Sequence, residues 1–274
     1  MPETDSVNAA KKLPTLYIPH GGGPCFFMDP PAAYPHMWDG LAAYLRGIDG
    51  ALGVRPKAVL VISGHWEAAE PTLNIAEKPG LLFDYYGFPE HTYRLKYPVP
   101  GAPELAPRVR ELLRDAGFES AVDAKRGLDH GVFVPFLLIY PRADVPILQM
   151  SLQKSLDPVL HLRLGRALAP LRSQGVLIVG SGMSYHNLAA MFSGTGAEAA
   201  ASFDSWLNES VRDPQARDAK LAAWRSAPGG RESHPREEHL IPLMVAAGAA
   251  DGDAGVRTFS ESIAGKALSG FQFG

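Results

Sequence analysis

Short runs of valine, isoleucine and leucine alternate along this chain with longer segments in which apolar residues recur at a helical period. Continuous apolar runs are typical of strands that are buried on both faces of a sheet. They predict strands at 16–18, 59–62, 146–152 and 176–179. The helical pattern predicts helices around 37–52, 102–116, 158–173, 197–211, 215–227 and 237–248. Residues 132–139 fit a short helix or a strand, because periodicity does not separate the two in a short apolar run.

The alternation of strands and helices predicts an α/β fold, namely a single domain with a central, mainly parallel or mixed sheet flanked by helices. The length of 274 residues suits one such domain. We divide the chain into a flexible N-terminal segment, 1–13, and one domain, 14–274. Residues 82–89 are rich in aromatic and turn residues and are predicted to form a loop.

Composition and charge narrow the classes of function. The 26 basic and 29 acidic residues give a formal net charge of −3, and their even mixing offers no basic patch for nucleic acid. No apolar stretch approaches the roughly 20 residues of a membrane span, and the polar N-terminus lacks the apolar core of a signal peptide. The single cysteine, Cys25, permits neither an intramolecular disulfide nor a thiolate cluster. We therefore expect a cytoplasmic protein without nucleic-acid or membrane partners.

Three histidines, His20, His65 and His186, follow apolar runs that break into glycines. Each is predicted to lie just beyond the carboxyl end of a strand, where ligands and metals bind in open α/β sheets. Imidazole is the commonest transition-metal ligand and titrates near neutral pH. A lone histidine is more often a surface or core residue, but three in one structural setting predict a metal-centred active site.

Two further segments carry candidate residues. His130 precedes an apolar segment, and Asp129 either orients its ring or begins a turn or helix. Near the C-terminus, Glu237 and Glu238 suit the positive end of a helix dipole. The alternative is that Glu238 or His239 completes a metal site.

Six short motifs, taken in order, resemble those of one family. They are Pro-His-Gly-Gly-Gly-Pro at 19–24, Ser-Gly-His-Trp-Glu at 63–67, Asp-Tyr-Tyr-Gly-Phe-Pro at 84–89, Leu-Asp-His-Gly at 128–131, Gly-Ser-Gly-Met-Ser-Tyr-His-Asn-Leu at 180–188 and His-Pro-Arg-Glu-Glu-His at 234–239. The family is the class III extradiol ring-cleavage dioxygenases, specifically the DOPA 4,5-dioxygenase-like branch. The catalytic subunit of protocatechuate 4,5-dioxygenase is a more distant relative. The resemblance runs from about residue 14 to the C-terminus, so 14–274 is interpreted as an extradiol dioxygenase-like catalytic domain. One departure is an extra glycine in the first motif, which is usually His-Gly-Ser-Pro or similar.

The resemblance implies a role for each candidate residue. His20 and His65 match metal ligands of the family. His239 is the expected third ligand, and Glu238 is the alternative because a glutamate completes the site in the protocatechuate relatives. His186 matches the catalytic base, and His130 matches a residue that contacts substrate or oxygen.

The implied activity is that of a non-haem Fe(II)-dependent extradiol dioxygenase. It would open the aromatic ring of a small, DOPA-like catechol with O2 to give a muconic semialdehyde, in the catabolism of aromatic compounds. Zn(II) fits the same nitrogen ligands and is an expected occupant of purified protein, although zinc has no redox chemistry. The expected partners are the catechol and O2, and the expected state is a monomer or a homodimer.

Two alternatives stay open beside this hypothesis. A zinc-dependent hydrolase or amidase would use the same ligands with a metal-bound hydroxide. A binding protein that keeps the fold without the chemistry is a third class, but it has no need for five histidines at one sheet edge.

Side chains that recognise ring substituents are harder to assign. The aromatic loop offers plausible pocket walls: Tyr85, Tyr86 and Phe88. Three arginines are candidates for binding a substrate carboxylate, although each is more often a solvated surface charge: Arg126, Arg231 and Arg236.

Overall fold

The computed structural model describes residues 12–274, and residues 1–11, most of the predicted flexible segment, lie outside the described residues. Eight strands form one sheet: β1 (Thr15–Pro19), β2 (Ala58–Ala68), β3 (Thr72–Asn74), β4 (Ala121–Asp123), β5 (Ile147–Gln153), β6 (Val176–Gly182), β7 (Gly255–Ile263) and β8 (Lys266–Phe273). Their order across the sheet is β4-β3-β5-β2-β6-β1-β8-β7. The four central strands β5, β2, β6 and β1 are parallel. The sheet is mixed because β8 pairs antiparallel with both β1 and β7, and β3 pairs antiparallel with β5.

Nine α-helices accompany this sheet within the described part of the chain. They are α1 (Asp39–Leu52), α2 (Ala106–Asp115), α3 (His130–Ile139), α4 (Pro158–Leu168), α5 (Leu188–Met191), α6 (Ala197–Ser210), α7 (Pro214–Ala222), α8 (Gly230–Ser233) and α9 (Ile241–Ala249). Helices α1 and α3 contribute to the apolar core on one face of the sheet, and α2, α4, α6 and α9 contribute to the core on the other.

The central strands are buried on both faces, which explains their continuous apolar runs. In β2, Leu60 and Ile62 belong to one core, whereas Val59 and Val61 belong to the other. Side chains alternate between the faces of a strand, so a strand covered on both faces has no polar positions to reveal its period. The predicted α/β fold with a central sheet flanked by helices is thus confirmed, and the four predicted strands coincide with β1, β2, β5 and β6 to within a residue at their starts. Residues 132–139 belong to a helix, α3.

The sequence prediction is wrong about where β2 ends. The strand does not stop before His65 but continues through it to Ala68. Its pairing with β5 shifts in register between Ile62 and Glu67. His65 therefore lies in an irregular part of a strand rather than in a loop.

Two regions near the C-terminus also differ from the prediction. The helix expected at 237–248 begins at Ile241, and the residues before it form bends and a turn. The antiparallel hairpin of β7 and β8 is absent from the sequence prediction. In β7 only Gly255, Phe259 and Ile263 are buried, and this spacing of four lacks the alternation by which a half-buried strand is recognised. Within 12–274, no helix combines the length and hydrophobicity that crossing a membrane requires.

Candidate metal centre

Three of the predicted ligands converge at the carboxyl edge of the parallel strands. His20 follows β1, His65 lies in β2, and His239 lies in the turn before α9. The Nε2 atoms of His65 and His239 are 3.1 Å apart. The ring centroid of His20 is 5.0 Å from that of His65 and 5.2 Å from that of His239. Since β1 and β2 both pair in parallel with β6, their carboxyl ends bring these side chains to one place.

The Nδ1 atoms of His20 and His239 have hydrogen-bond partners, and Nδ1 of His65 lies near a carboxylate. Nδ1 of His20 is 2.8 Å from the carbonyl oxygen of the next residue. Nδ1 of His239 is 3.0 Å from Oε1 of Glu238, and Nδ1 of His65 is 3.6 Å from Oδ2 of Asp84. Contacts of this kind fix the orientation of metal-binding histidines. Nε2 of His20 is buried and has no hydrogen-bond partner in the described part of the protein, so this donor set fits a metal ion.

Burial keeps the three imidazoles neutral. Desolvation, with a further contribution from neighbouring histidines, lowers the pKa of His20 and the pKa of His239 well below 6.5. Desolvation lowers the pKa of His65 to about 3, and the nearby ring of His130 adds to this effect. A histidine must be neutral to bind a metal ion. The three rings are therefore in the metal-binding form at neutral pH.

His130, the first residue of α3, lies beside these rings. Its ring centroid is 3.9 Å from that of His65 and 5.4 Å from that of His20. Nδ1 of His130 is 2.7 Å from Oδ1 of Asp84, and the backbone N–H of His130 donates to the same oxygen at 3.0 Å. Burial alone would raise the pKa of Asp84, but the hydrogen bonds from the ring and backbone of His130, together with the proximity of His65, outweigh it and the pKa is lowered. Asp84 is therefore a carboxylate that contacts two histidines of the site.

The sequence analysis missed Asp84 and gave Asp129 two alternative roles, either orienting the His130 ring or beginning a turn or helix. Asp129 does precede α3, but its side chain makes no hydrogen bond to the helix. Its buried carboxylate instead accepts hydrogen bonds from Ser63 at 2.7 Å and from Gln149. Desolvation raises the pKa of Asp129. These contacts tie the start of α3 to β2 and β5, whereas Asp84 orients the ring. The one signal for Asp84 was a carboxylate within an otherwise aromatic motif.

His186 stacks on His239, with ring centroids 3.4 Å apart and ring planes at 18°. Its Nδ1 is 3.1 Å from Oε1 of Glu238, the oxygen that also contacts His239. Burial alone would raise the pKa of Glu238, but contacts with His186, a hydrogen bond from its own backbone N–H and the charge of Arg236 together lower it. Glu238 thus lies as a carboxylate on the Nδ1 side of His239, away from the Nε2 atom that faces His65. Nε2 of His239 is therefore the atom of this pair that contacts Nε2 of His65.

All five predicted histidines are therefore brought together. Atoms able to bind a metal lie within 4.8 Å of one another in two groups, one of His20, His65 and His130 and the other of His186, Glu238 and His239. In each group, at least one predicted ligand lies beside a residue that was predicted to have another role. Metal content measured in single variants distinguishes the ligands from the other residues.

Glycines in β2 and β6 let the chain around His239 pack directly on the sheet. A Cβ atom at Gly182 would lie 2.0 Å from the carbonyl oxygen of His239, and one at Gly64 would lie 3.0 Å from the carbonyl oxygen of the residue before it. The His239 carbonyl accepts hydrogen bonds from the hydroxyl of Tyr17 at 2.8 Å and from the backbone N–H of Met183 at 3.1 Å. The glycines of the Ser-Gly-His and Gly-Ser-Gly motifs thus set the depth at which His239 lies.

The glycine-rich segment after His20 turns sharply beneath the cavity. Gly21 and Gly23 have positive φ angles of 82° and 54°, which residues with side chains rarely adopt. A Cβ atom at Gly21 would lie 2.4 Å from the sulfur of Cys25, and one at Gly23 would lie 2.8 Å from the ring of Phe88. The segment therefore leaves room for an aromatic wall of the cavity.

The five histidines line a cavity of about 420 Å³. Tyr85 and Phe88 line it as predicted. The prediction for Tyr86 is wrong, because its side chain is 91% exposed and lies outside the cavity. Three arginines also lie outside it: Arg126, Arg231 and Arg236.

Comparison with known proteins agrees with the geometry. Residues 14–271 match the family described as the catalytic LigB subunit of aromatic ring-opening dioxygenase. The chain is 46% identical to the 4,5-DOPA dioxygenase extradiol of Beta vulgaris, over 72% of this chain and 74% of that protein. It is 36% identical to the protein of the same name from Mirabilis jalapa, over 94% of each. The crystal structure of an uncharacterized protein from Escherichia coli K12 has a TM-score of 0.75 at 26% identity and covers 96% of this chain and 100% of that one. The chain therefore belongs to the LigB family of aromatic ring-opening dioxygenases and is an extradiol dioxygenase of the DOPA dioxygenase-like branch.

Proposed function

We propose that the protein is a non-haem Fe(II)-dependent extradiol dioxygenase that opens the ring of a small catechol to a muconic semialdehyde. One observation carries the proposal: the neutral imidazoles of His20, His65 and His239 converge at one cavity, and the Nδ1 atoms of His20 and His239 are hydrogen-bonded to other groups. Imidazole nitrogen suits iron, and three protein ligands leave positions free for both reactants. Bound Fe(II) would supply the redox chemistry that lets a catecholate react with O2.

His186 is proposed as the base that takes the proton of a catechol hydroxyl. Its Nδ1 is 3.1 Å from the carboxylate of Glu238, so Nδ1–H donates there and Nε2 is left as the proton acceptor. The negative charge of Glu238 stabilises the imidazolium that results. The same ring then acts as a general acid when it returns the proton.

His130 is proposed to contact the substrate or O2. It lines the cavity, and Asp84 fixes its ring at 2.7 Å through Nδ1. Because Nδ1 donates to Asp84, Nε2 of His130 is the atom that accepts hydrogen bonds from a ligand in the cavity. Asp84 also lies near His65, so one carboxylate positions a proposed ligand and a proposed substrate contact.

Oxygen uptake tests the proposal. Protein loaded with Fe(II) under anaerobic conditions is mixed with oxygenated buffer and a panel of catechols that includes DOPA, while absorbance follows the yellow semialdehyde. Uptake matched by yellow product is the expected result. Protein with confirmed bound iron that consumes no O2 with any catechol would contradict it. Hydrolysis of an ester or amide by the Zn(II)-loaded protein would then support the hydrolase alternative.

The DOPA-like character of the catechol, the monomeric or homodimeric state and the cytoplasmic location stay predictions. Substrate panels, sedimentation and cell fractionation measure them.

A further inference from the structure

Apart from its histidines, the cavity is walled by apolar groups. Its lining side chains include Met28, Trp38, Met183, Leu188, Met191 and Phe192. In the described part of the chain, no lysine, arginine, aspartate, glutamate, asparagine or glutamine lines it. The hydroxyl of Tyr85 donates to the carbonyl of Thr92 at 2.7 Å. Burial raises the pKa of the Cys25 thiol to about 12, so this lining group is also uncharged.

The apolar lining extends to the mouth of the cavity. Leu188 is 70% exposed and Phe192 is 59% exposed, although both line the cavity. The ring of Phe192 lies 6.2 Å from that of Tyr34, which is also exposed. Large apolar side chains grouped on a surface commonly mark a place that a ligand covers. A substituent that extends from a bound ring toward solvent would contact these side chains.

The arginines considered as partners of a substrate carboxylate are already paired with protein groups. The Arg126 guanidinium lies 4.7 Å from the centre of the Trp66 ring. Arg231 donates to Glu237 at 3.0 Å, and Arg236 donates to a glutamate of β2 at 2.6 Å. A substrate carboxylate in the cavity would therefore have no lysine or arginine partner to offset any hydration that it loses there.

We propose that the cavity selects catechols whose ring substituent is uncharged and apolar, such as an alkyl or aryl group, over catechols that carry a carboxylate or an ammonium group. The proposal rests on the proposed function and names the substrate class of the same site. It departs from the sequence-based expectation of a DOPA-like catechol, because DOPA carries both a carboxylate and an ammonium group. An alkyl or aryl substituent gains contact with the methionines of the lining and, at the mouth, with Leu188 and Phe192. The lining offers a charged substituent no lysine, arginine, aspartate or glutamate as a partner.

The test compares kcat/KM of the Fe(II)-loaded enzyme for 4-methylcatechol and 4-propylcatechol with that for DOPA, dopamine and 3,4-dihydroxyphenylacetate. We expect the alkylcatechols to exceed the charged compounds by at least about 10-fold, because one or two methylenes in an apolar pocket are worth this much. Anaerobic calorimetry measures the binding of the same compounds to protein without O2, so recognition is observed separately from turnover.

A charge placed at the mouth provides the reciprocal experiment. Leu188 is largely exposed, so Leu188→Arg is expected to fold. It should raise kcat/KM for 3,4-dihydroxyphenylacetate relative to 4-propylcatechol, whereas the uncharged Leu188→Gln should not.

Each outcome has a distinct meaning. Preference for alkylcatechols in turnover or in anaerobic binding supports the proposal. Equal or greater efficiency and affinity with the carboxylate compound overturns it, while O2 uptake with any catechol still upholds the proposed function. Binding that favours alkylcatechols without O2 uptake would refute the proposed function and support the inferred selectivity.

Discussion

Replacing Gly182 by alanine tests whether the depth of His239 governs metal binding. Gly182 ends β6, and a Cβ atom there would lie 2.0 Å from the carbonyl oxygen of His239. That carbonyl is held by hydrogen bonds from Tyr17 and from the backbone of Met183. Real Cβ atoms essentially never lie closer than 3.0 Å to another atom. The backbone at residue 182 or at His239 must therefore move by about 1 Å or more.

A displacement of this size affects both activity and stability. Moving a ligand or catalytic group by about 1 Å costs roughly 100-fold in rate, which corresponds to about 2.7 kcal/mol of activation free energy. We therefore expect kcat/KM to fall by about 100-fold in Gly182→Ala. Loss of a buried hydrogen bond to the His239 carbonyl should also lower the free energy of unfolding by about 1–3 kcal/mol.

Three alanine variants form a graded series for this experiment. At Gly47, in α1, no atom lies within 4 Å of an added Cβ, so alanine should raise the free energy of unfolding by about 0.5–1 kcal/mol and leave the site unchanged. At Gly64 the nearest atom is 3.0 Å away, and an intermediate effect is expected. Iron content after anaerobic loading, kcat/KM and Tm are measured for Gly47→Ala, Gly64→Ala and Gly182→Ala.

The result that would refute this reasoning is equal iron content and activity in Gly182→Ala and Gly47→Ala. The contact between β6 and the chain at His239 would then not control the site. If Gly182→Ala does not fold, Gly64→Ala decides the matter, because its overlap is small. Wild-type iron binding and activity in a folded Gly64→Ala protein would then count against the argument.

Three further predictions concern individual side chains. His186→Ala should lower kcat by about 10²–10⁴-fold and keep its iron, whereas iron loss would identify His186 as a ligand. Iron titration should show that His239→Ala no longer binds the ion. Glu238→Gln and Asp84→Asn should weaken iron binding by only about 10–100-fold. Weaker iron binding in Glu238→Gln than in His239→Ala would identify Glu238 as the ligand. Burial lowers the pKa of His161 to about 4 from 6.5. The unfolded chain therefore takes up this proton as the pH falls below 6.5 while the folded protein does not. The resulting loss of unfolding free energy reaches about 3 kcal/mol near pH 4. Denaturant unfolding measures the free energy of unfolding at pH 7 and at pH 5. The loss between these pH values should be smaller in His161→Gln than in the wild-type protein, and an equal loss would exclude His161 as the cause.

The central sheet and the histidine cluster were predictable because each depends on local sequence. Strands buried on both faces have continuous apolar runs, and parallel strands end at one edge. His20 and His65 could therefore be placed near each other before the structure was known. The irregular continuation of β2 through His65 could not be predicted, because it depends on the pairing of β2 with β5.

Other parts of the site depend on contacts between segments that are distant in sequence. Asp84 acts on His130 across 46 positions of the chain, and no local pattern specifies that pair. The neighbouring Asp129 was the natural choice from sequence, but its side chain is directed to Ser63 and Gln149 instead. The apolar lining could not be assembled from sequence either, because Met28, Met183 and the loops that carry them meet only in the folded protein.

The order of strands has a consequence for how the protein is made. β1, which precedes His20, lies between β6 and β8, so a strand that is synthesised early pairs only with strands that are synthesised much later. A nascent chain carries His20 and His65 well before it carries His239. The complete set of proposed ligands therefore exists only after His239 has been synthesised, and iron is expected to bind after that point rather than earlier.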